Sequence, residues 1–124
     1  GYPYSLSYRN SSLINSTTDK FLFAQYNSQV CANISEIMTG IVDNSLFHHF
    51  IIKRIDGTIF FYQNSVLIGQ FTDLNGSCST NNTANVTLGT RGNLVRFFKG
   101  KIDNVRFYNR GLTDEEINML YLSE

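Results

Sequence analysis

The tightest constraint on the fold lies mid-chain, where two short turns divide one apolar stretch into three runs. His48-His-Phe-Ile-Ile-Lys-Arg-Ile55 leads into Asp56-Gly57, and Thr58-Ile-Phe-Phe-Tyr62 follows it. A two-residue type I′ hairpin turn needs positive φ at both central residues; Gly accepts this freely and Asp tolerates it. Gln63-Asn64-Ser65 forms a second turn, and Val66-Leu-Ile-Gly-Gln-Phe71 returns as a third strand. The stretch is therefore expected to be an antiparallel meander.

The flanking regions extend this β pattern. Residues 4–8 alternate apolar and polar, as a strand with one buried face does. Residues 20–26 are apolar on both faces, which marks a central strand, and residues 29–39 hold a weaker candidate with Val30, Ala32 and Ile34 alternating. Asp43-Asn44-Ser45 reads as a turn. The polar stretches 9–19, 72–84 and 90–94 read as loops. A short strand is expected over residues 85–89 and a last long one within residues 97–108. There, Ile102, Val105 and Phe107 cannot share a face at strict period two, and a bulge near Asp103 and Asn104 reconciles them. The period then changes: Thr113-Asp-Glu-Glu116 is a capping box, and Ile117, Leu120 and Tyr121 form the stripe of one short helix. About eight short strands and a closing helix predict an all-β sandwich, with residues 1–124 as a single domain.

Ten Phe and seven Tyr suit a pleated, half-buried surface. Ten basic and ten acidic residues cancel, which removes any general attraction to phosphate backbones or anionic lipid and excludes nucleic acid as an expected partner. No apolar run approaches a membrane span, so no membrane insertion is expected. Six Asn-X-Ser/Thr triplets, at Asn10, Asn15, Asn33, Asn75, Asn81 and Asn85, are candidate glycosylation sites. Asn/Ser/Thr-rich composition alone also produces such triplets. Cys31 and Cys78 admit one pairing, worth roughly 4 kcal/mol in the chain-entropy model. Two free or buried thiols are the favoured reading, with a disulfide as the alternative.

Several runs together resemble a known family. Phe47-His48-His49-Phe50-Ile51-Ile52 is similar to the Trp-His-His-Val strand of laminin-G-like jelly rolls, within the concanavalin A-like lectin/glucanase superfamily. Asp56-Gly57-Thr58, with the run from Phe61 to Gly69, resembles that family's central meander, and Val86-Thr-Leu-Gly89 its Leu-Thr-Ile-Gly strand. The run from Phe98 to Ile117 resembles the closing signature almost position for position. Phe47 replaces the usual Trp, and Ser65 a turn Gly. The resemblance implies an antiparallel jelly-roll sandwich with a short C-terminal helix. It also implies that strands preceding residues 5–8 in the family pattern are missing here, to be supplied by the rest of a larger protein or by another chain.

Glycosidases of the superfamily carry paired carboxylates on one strand, which in retaining enzymes stand about 5–5.5 Å apart. The i, i+2 acidic pair here is Asp114 and Glu116, in a helix first turn where carboxylates offset the orphan amides. A non-catalytic module is therefore expected. His48 and His49 are adjacent, so on a strand they point to opposite faces and cannot share a metal ion unaided. Tyr26, Tyr62, Arg91, Asn93 and Arg96 are the candidate ligand-binding residues: rings that stack on sugars, and cations that attract sulfated glycans. Asp103 is the candidate calcium ligand, because some relatives carry calcium at a sandwich rim; holding a loop or the bulge by hydrogen bonds is the plainer reading.

The function expected is recognition or adhesion, with glycan or protein surfaces as partners, within a larger extracellular, cell-surface or virion-surface protein. The alternatives are a structural assembly module of a viral or phage tail, capsid or filament, joined to other segments or chains of its assembly, and an accessory domain of a glycosidase.

Overall fold

A computed structural model describes residues 4–9, 20–26, 34–40, 42–43, 45–72, 86–90 and 97–124. Six strands and one helix are found there: β1 (Tyr4–Arg9), β2 (Lys20–Tyr26), β3 (Ile34–Met38), β4 (Phe50–Ile55), β5 (Thr58–Gln63), β6 (Val66–Thr72) and α1 (Asp114–Leu122). They form two three-stranded antiparallel sheets, ordered β1-β2-β3 and β4-β5-β6. β2 is central in its sheet, as its two-sided apolar pattern predicts.

Turn chemistry matches the sequence. Asp56 and Gly57 both take positive φ, 48° and 80°, as the tight hairpin requires. The second turn repeats the geometry with Asn64 at 50° and Ser65 at 68°. A left-handed residue with a Cβ costs about 1–2 kcal/mol. The Ser65 hydroxyl offsets part of that by donating to Asn118 Oδ1 at 3.1 Å.

Alternation along β5 sends side chains to two layers. Ile59 and Phe61 point inward and form a core cluster with Phe23 of the other sheet, closed by Ile37, Phe50, Ile68 and Phe71. Rings interleave across the gap, Phe21 against Phe50 at 4.5 Å and Phe23 against Phe61 at 5.8 Å, and within the second sheet Phe50 lies 5.7 Å from Phe61. Such tilted or offset pairs add to the area term of burial. Phe60 and Tyr62 point the other way, where Tyr62 packs with Leu112 and the fully buried Ile117 of α1. The helix thus covers the outer face of the second sheet.

Two small residues allow the layers to approach. Gly69 faces Ile37 of β3, where a Cβ would stand 3.0 Å from Ile37 Cγ2. Gly111 lies against the end of β4, where a Cβ would stand 2.7 Å from Ile55 Cγ1 and 3.4 Å from the Arg54 carbonyl. Beyond β3, the buried Thr39 continues the ladder: its N–H donates to the Phe21 carbonyl, and its Oγ1 accepts from Phe21 N–H, both at 2.9 Å.

Three expectations need correction. Residues 86–90 form no strand: residues 88–90 bend, with Gly89 at φ 73°. Residues 47–49 precede the β4 ladder, although His49 is held to the second turn through Asn64, whose N–H donates to its carbonyl at 2.8 Å. Residues 97–108 form no ladder. The apolar alternation is present there, but a strand exists only against a paired neighbour, and no described residue provides one. Asn104 at φ 51° does place a left-handed residue at the expected bulge position. The sequons, Cys31 and Cys78 lie outside the described residues.

Two substitutions test this packing. Gly111→Ala is expected to lower stability by about 1–3 kcal/mol through overpacking against Ile55. Thr39→Val is expected to cost about 1–3 kcal/mol by leaving the Phe21 N–H without its side-chain acceptor. Urea denaturation midpoints check both; unchanged midpoints would show that these contacts yield without cost.

Candidate functional site

One end of the second sheet gathers three elements. The Asp43–Ser45 turn is closed by Ser45, whose N–H and hydroxyl both donate to Asp43 Oδ1, at 2.9 and 2.6 Å. Those bonds, side chain first and backbone second, lower the Asp43 pKa, so the carboxylate is ionised and purely an acceptor. His48 is held back to the same turn, its Nε2 donating to the Asp43 carbonyl at 2.8 Å. With the proton on Nε2, His48 Nδ1 accepts from Gln63 Nε2 at 3.3 Å. Leu46 and Phe47 are left on the outside of the loop, with Phe47 67% exposed.

The second element is the turn at residues 63–65, whose Asn64 Oδ1 accepts the His49 N–H at 2.9 Å. The third is α1, joined through Asn118 to Ser65 and through Tyr121, whose ring lies 6.0 Å from that of His49. The two histidines face opposite ways, as expected. His48 lies near Phe21 and Phe50 on the inner side, and His49 lies against α1 on the outer side. The result is a rim on which a carboxylate, an imidazole and amides are linked, with the exposed Phe47 adjacent in sequence to His48.

A second polar constellation lies under the helix. Strand alternation places Lys53 on the apolar outer face, its Nζ 5.3 Å from the Phe60 ring centre and 5.1 Å from that of Tyr62. The side chain is only 9% exposed, and its ammonium donates to Asp114 Oδ1 at 2.9 Å and to the Leu112 carbonyl at 3.1 Å. Tyr62 donates its hydroxyl to the same Asp114 oxygen at 2.8 Å. Burial works against the Lys53 charge, but the bonds to Asp114 and Tyr62 outweigh it, and the Lys53 pKa is raised. Burial first and Asp114 second raise the Tyr62 pKa as well. Asp114 is lowered by Lys53 first and Tyr62 second. This network pins the first turn of α1 to the sheet.

The capping box is complete. Thr113 Oγ1 accepts the Glu116 N–H at 3.2 Å, and Glu116 Oε2 accepts the Thr113 N–H at 2.8 Å. Arg110 adds a bidentate pair to Glu116, at 2.8 and 2.7 Å. Arg110 first and the Thr113 N–H second lower the Glu116 pKa to about 2.

Of the candidate residues singled out from sequence, Tyr62 and Asp103 have described side chains. Tyr62 is buried with its hydroxyl committed to Asp114. Tyr26 ends β2, and Arg91, Asn93 and Arg96 lie outside the described residues. Asp103 is exposed and accepts the Asn104 N–H at 2.8 Å. Among the described residues, no three His, Cys, Asp or Glu side chains are grouped to hold a metal ion. Sequence reasoning passed over Asp43, Phe47 and Gln63. The signal was available in the Asp43-Asn44-Ser45 turn two residues before the aromatic Phe47.

A family model described as the concanavalin A-like lectin/glucanases superfamily, of laminin G type, matches residues 6–118. The crystal structure of an S-layer domain-containing protein from Clostridium thermocellum is similar, with a TM-score of 0.53 and 20% identity over 82% of this chain. The match covers 51% of that structure, so this chain spans about half its length. At this identity the likeness concerns the fold. No curated protein gives a significant match.

A pH titration tests the helix anchor. Folded Glu116 titrates at about 2 against an ordinary 4.5, so its stabilising contribution is full above pH 4.5 and is lost as pH falls toward 2. Asp114 acts in the same direction. Glu116→Gln is expected to narrow the Tm difference between neutral pH and the acid end of this window. An unchanged difference would show that the Arg110–Glu116 pair does not stabilise the fold.

Proposed function

The chain belongs to the concanavalin A-like lectin/glucanase superfamily, and from that premise we propose that it is a non-catalytic recognition module that adheres to glycans through its rim. The observation that carries the reading is the linked set of ionised Asp43, His48 and Gln63 at one sheet end, next in sequence to the exposed Phe47. A sugar ring offers an apolar C–H face edged by hydroxyls. An exposed aromatic covers that face, while a carboxylate and amides fix the hydroxyls.

The acidic pair supports the non-catalytic reading. A glycosidase general acid needs a carboxyl with a raised pKa. Asp114 and Glu116 are both lowered and are engaged by Lys53, Tyr62, Arg110 and Thr113 in anchoring the helix.

The module belongs, on this reading, to a larger extracellular, cell-surface or virion-surface protein. The fold shared with an S-layer domain-containing protein supports a surface setting. No helix among the described residues is long and apolar enough to cross a membrane.

The test is a glycan array probed with the labelled chain. Wild type is expected to retain a restricted set of glycans, and Phe47→Ala and Asp43→Ala to weaken retention by roughly tenfold or more. Thermal unfolding of Phe47→Ala is expected to stay unchanged, because the ring is exposed. Equal retention by all three proteins, or none by wild type, overturns the reading.

A further inference from the structure

The hydrogen-bonding groups of the rim divide into those already satisfied and those left open. His48 belongs to the first set: its Nε2 donates to the Asp43 carbonyl and its Nδ1 accepts from Gln63. It holds two neighbours one imidazole ring apart and has no nitrogen left for a ligand. The Asp43 carbonyl takes the Leu46 N–H as well, at 3.3 Å. Asp43 Oδ1 is filled in turn by the Ser45 N–H and hydroxyl.

The open set is mostly acceptors. Asp43 is exposed, and among the described residues its Oδ2 has neither a hydrogen bond nor an ion pair. Gln63 Oε1 is also open there, because its amide nitrogen serves His48. Asn64 Nδ2 is a neutral donor on the same turn, and its Oδ1 is occupied by the His49 N–H. The Ser45 bonds keep the Asp43 carboxyl ionised, and a carboxylate accepts but cannot donate. Hydroxyl and ammonium groups have protons to give it. Sulfate and carboxylate groups bring further acceptors of the same sign and are repelled. Between the two donors, an ammonium makes the stronger, charge-assisted bond.

We propose that the rim selects sugars by the donors they carry, with Asp43 setting the order: a free amino sugar first, its N-acetylated form next and its N-sulfated form last. This deepens the glycan reading and rests on it. Gln63 Oε1 and Asn64 Nδ2 exchange bonds with ring hydroxyls, which are donors and acceptors at once. These neutral groups do not read the charge of the substituent, and the carboxylate does. Because Asp43 is exposed, the preference has the modest size of a surface ion pair and is screened by salt.

The probes are disaccharides ending in glucosamine or galactosamine, each in three forms: free amine, N-acetyl and N-sulfate, titrated against the immobilised chain. Wild type is expected to hold the amine about threefold more tightly than the acetamide and about tenfold more tightly than the sulfate. High salt is expected to draw the three affinities together. Asp43→Asn keeps an oxygen for the Ser45 bonds and removes the charge. It is expected to bring the amine-to-sulfate ratio close to one, with an unchanged Tm. Sulfate held as tightly as amine by wild type overturns the selection and leaves the glycan reading standing. A ratio that neither salt nor Asp43→Asn moves does the same. Retention of none of the three forms on either sugar also overturns the selection; only the absence of all retention on the full glycan array removes the wider reading with it.

Discussion

The architecture depends on β5 being apolar on both faces. Ile59 and Phe61 are nearly or fully buried toward the first sheet, while Tyr62 is buried toward α1. Each such side chain contributes on the order of 1.5–3 kcal/mol when removed from water, so leaving either face uncovered would forfeit a large part of a domain's net stability. A strand of this kind is stable only as the middle layer of three. The facing sheet and the covering helix are both consequences of Thr58-Ile-Phe-Phe-Tyr62.

The position of the rim follows from the same strand. β5 ends in the Asn64–Ser65 turn, and Asn64 holds His49 through its backbone N–H and its side-chain oxygen. His48 is thereby set beside Gln63, and the loop leading back to Asp43 leaves Phe47 outside. The helix reaches the same rim through Asn118 and Tyr121. Candidate recognition groups therefore lie on loops whose ends are fixed by regular structure, an arrangement that limits the ordering entropy lost on binding.

Local chemistry was readable from sequence wherever a few neighbouring residues decide the outcome. The Asp56-Gly57 turn, the two-sided pattern of residues 20–26 and the Thr113–Glu116 capping box all depend on contacts within one turn or one strand. The segment at 97–108 takes no strand among the described residues, because alternation reports a tendency to pair but not which residues come to lie beside it. The Lys53 network was hidden for a different reason: its members are distant in sequence and meet only when α1 folds onto β4 and β5. Tyr62 was read as a rim ring because ring chemistry alone cannot distinguish a sugar platform from a buried phenol donating to a carboxylate.

Lys53 also bears on how the meander chooses its register. It pairs with Phe60 and shares the outer face with Ile51. A slip of β4 by one residue against β5 would turn the ammonium toward the ring cluster of Phe23, Phe61 and Phe71, where no carboxylate stands among the residues that form it. An unpaired charge in an apolar interior costs several kcal/mol, far more than alternative pairings of a Val/Ile/Phe-rich ladder differ among themselves. Lys53, the cation on the outer face of β4, therefore acts as an alignment mark that favours one closure of the hairpin over its near-equivalents.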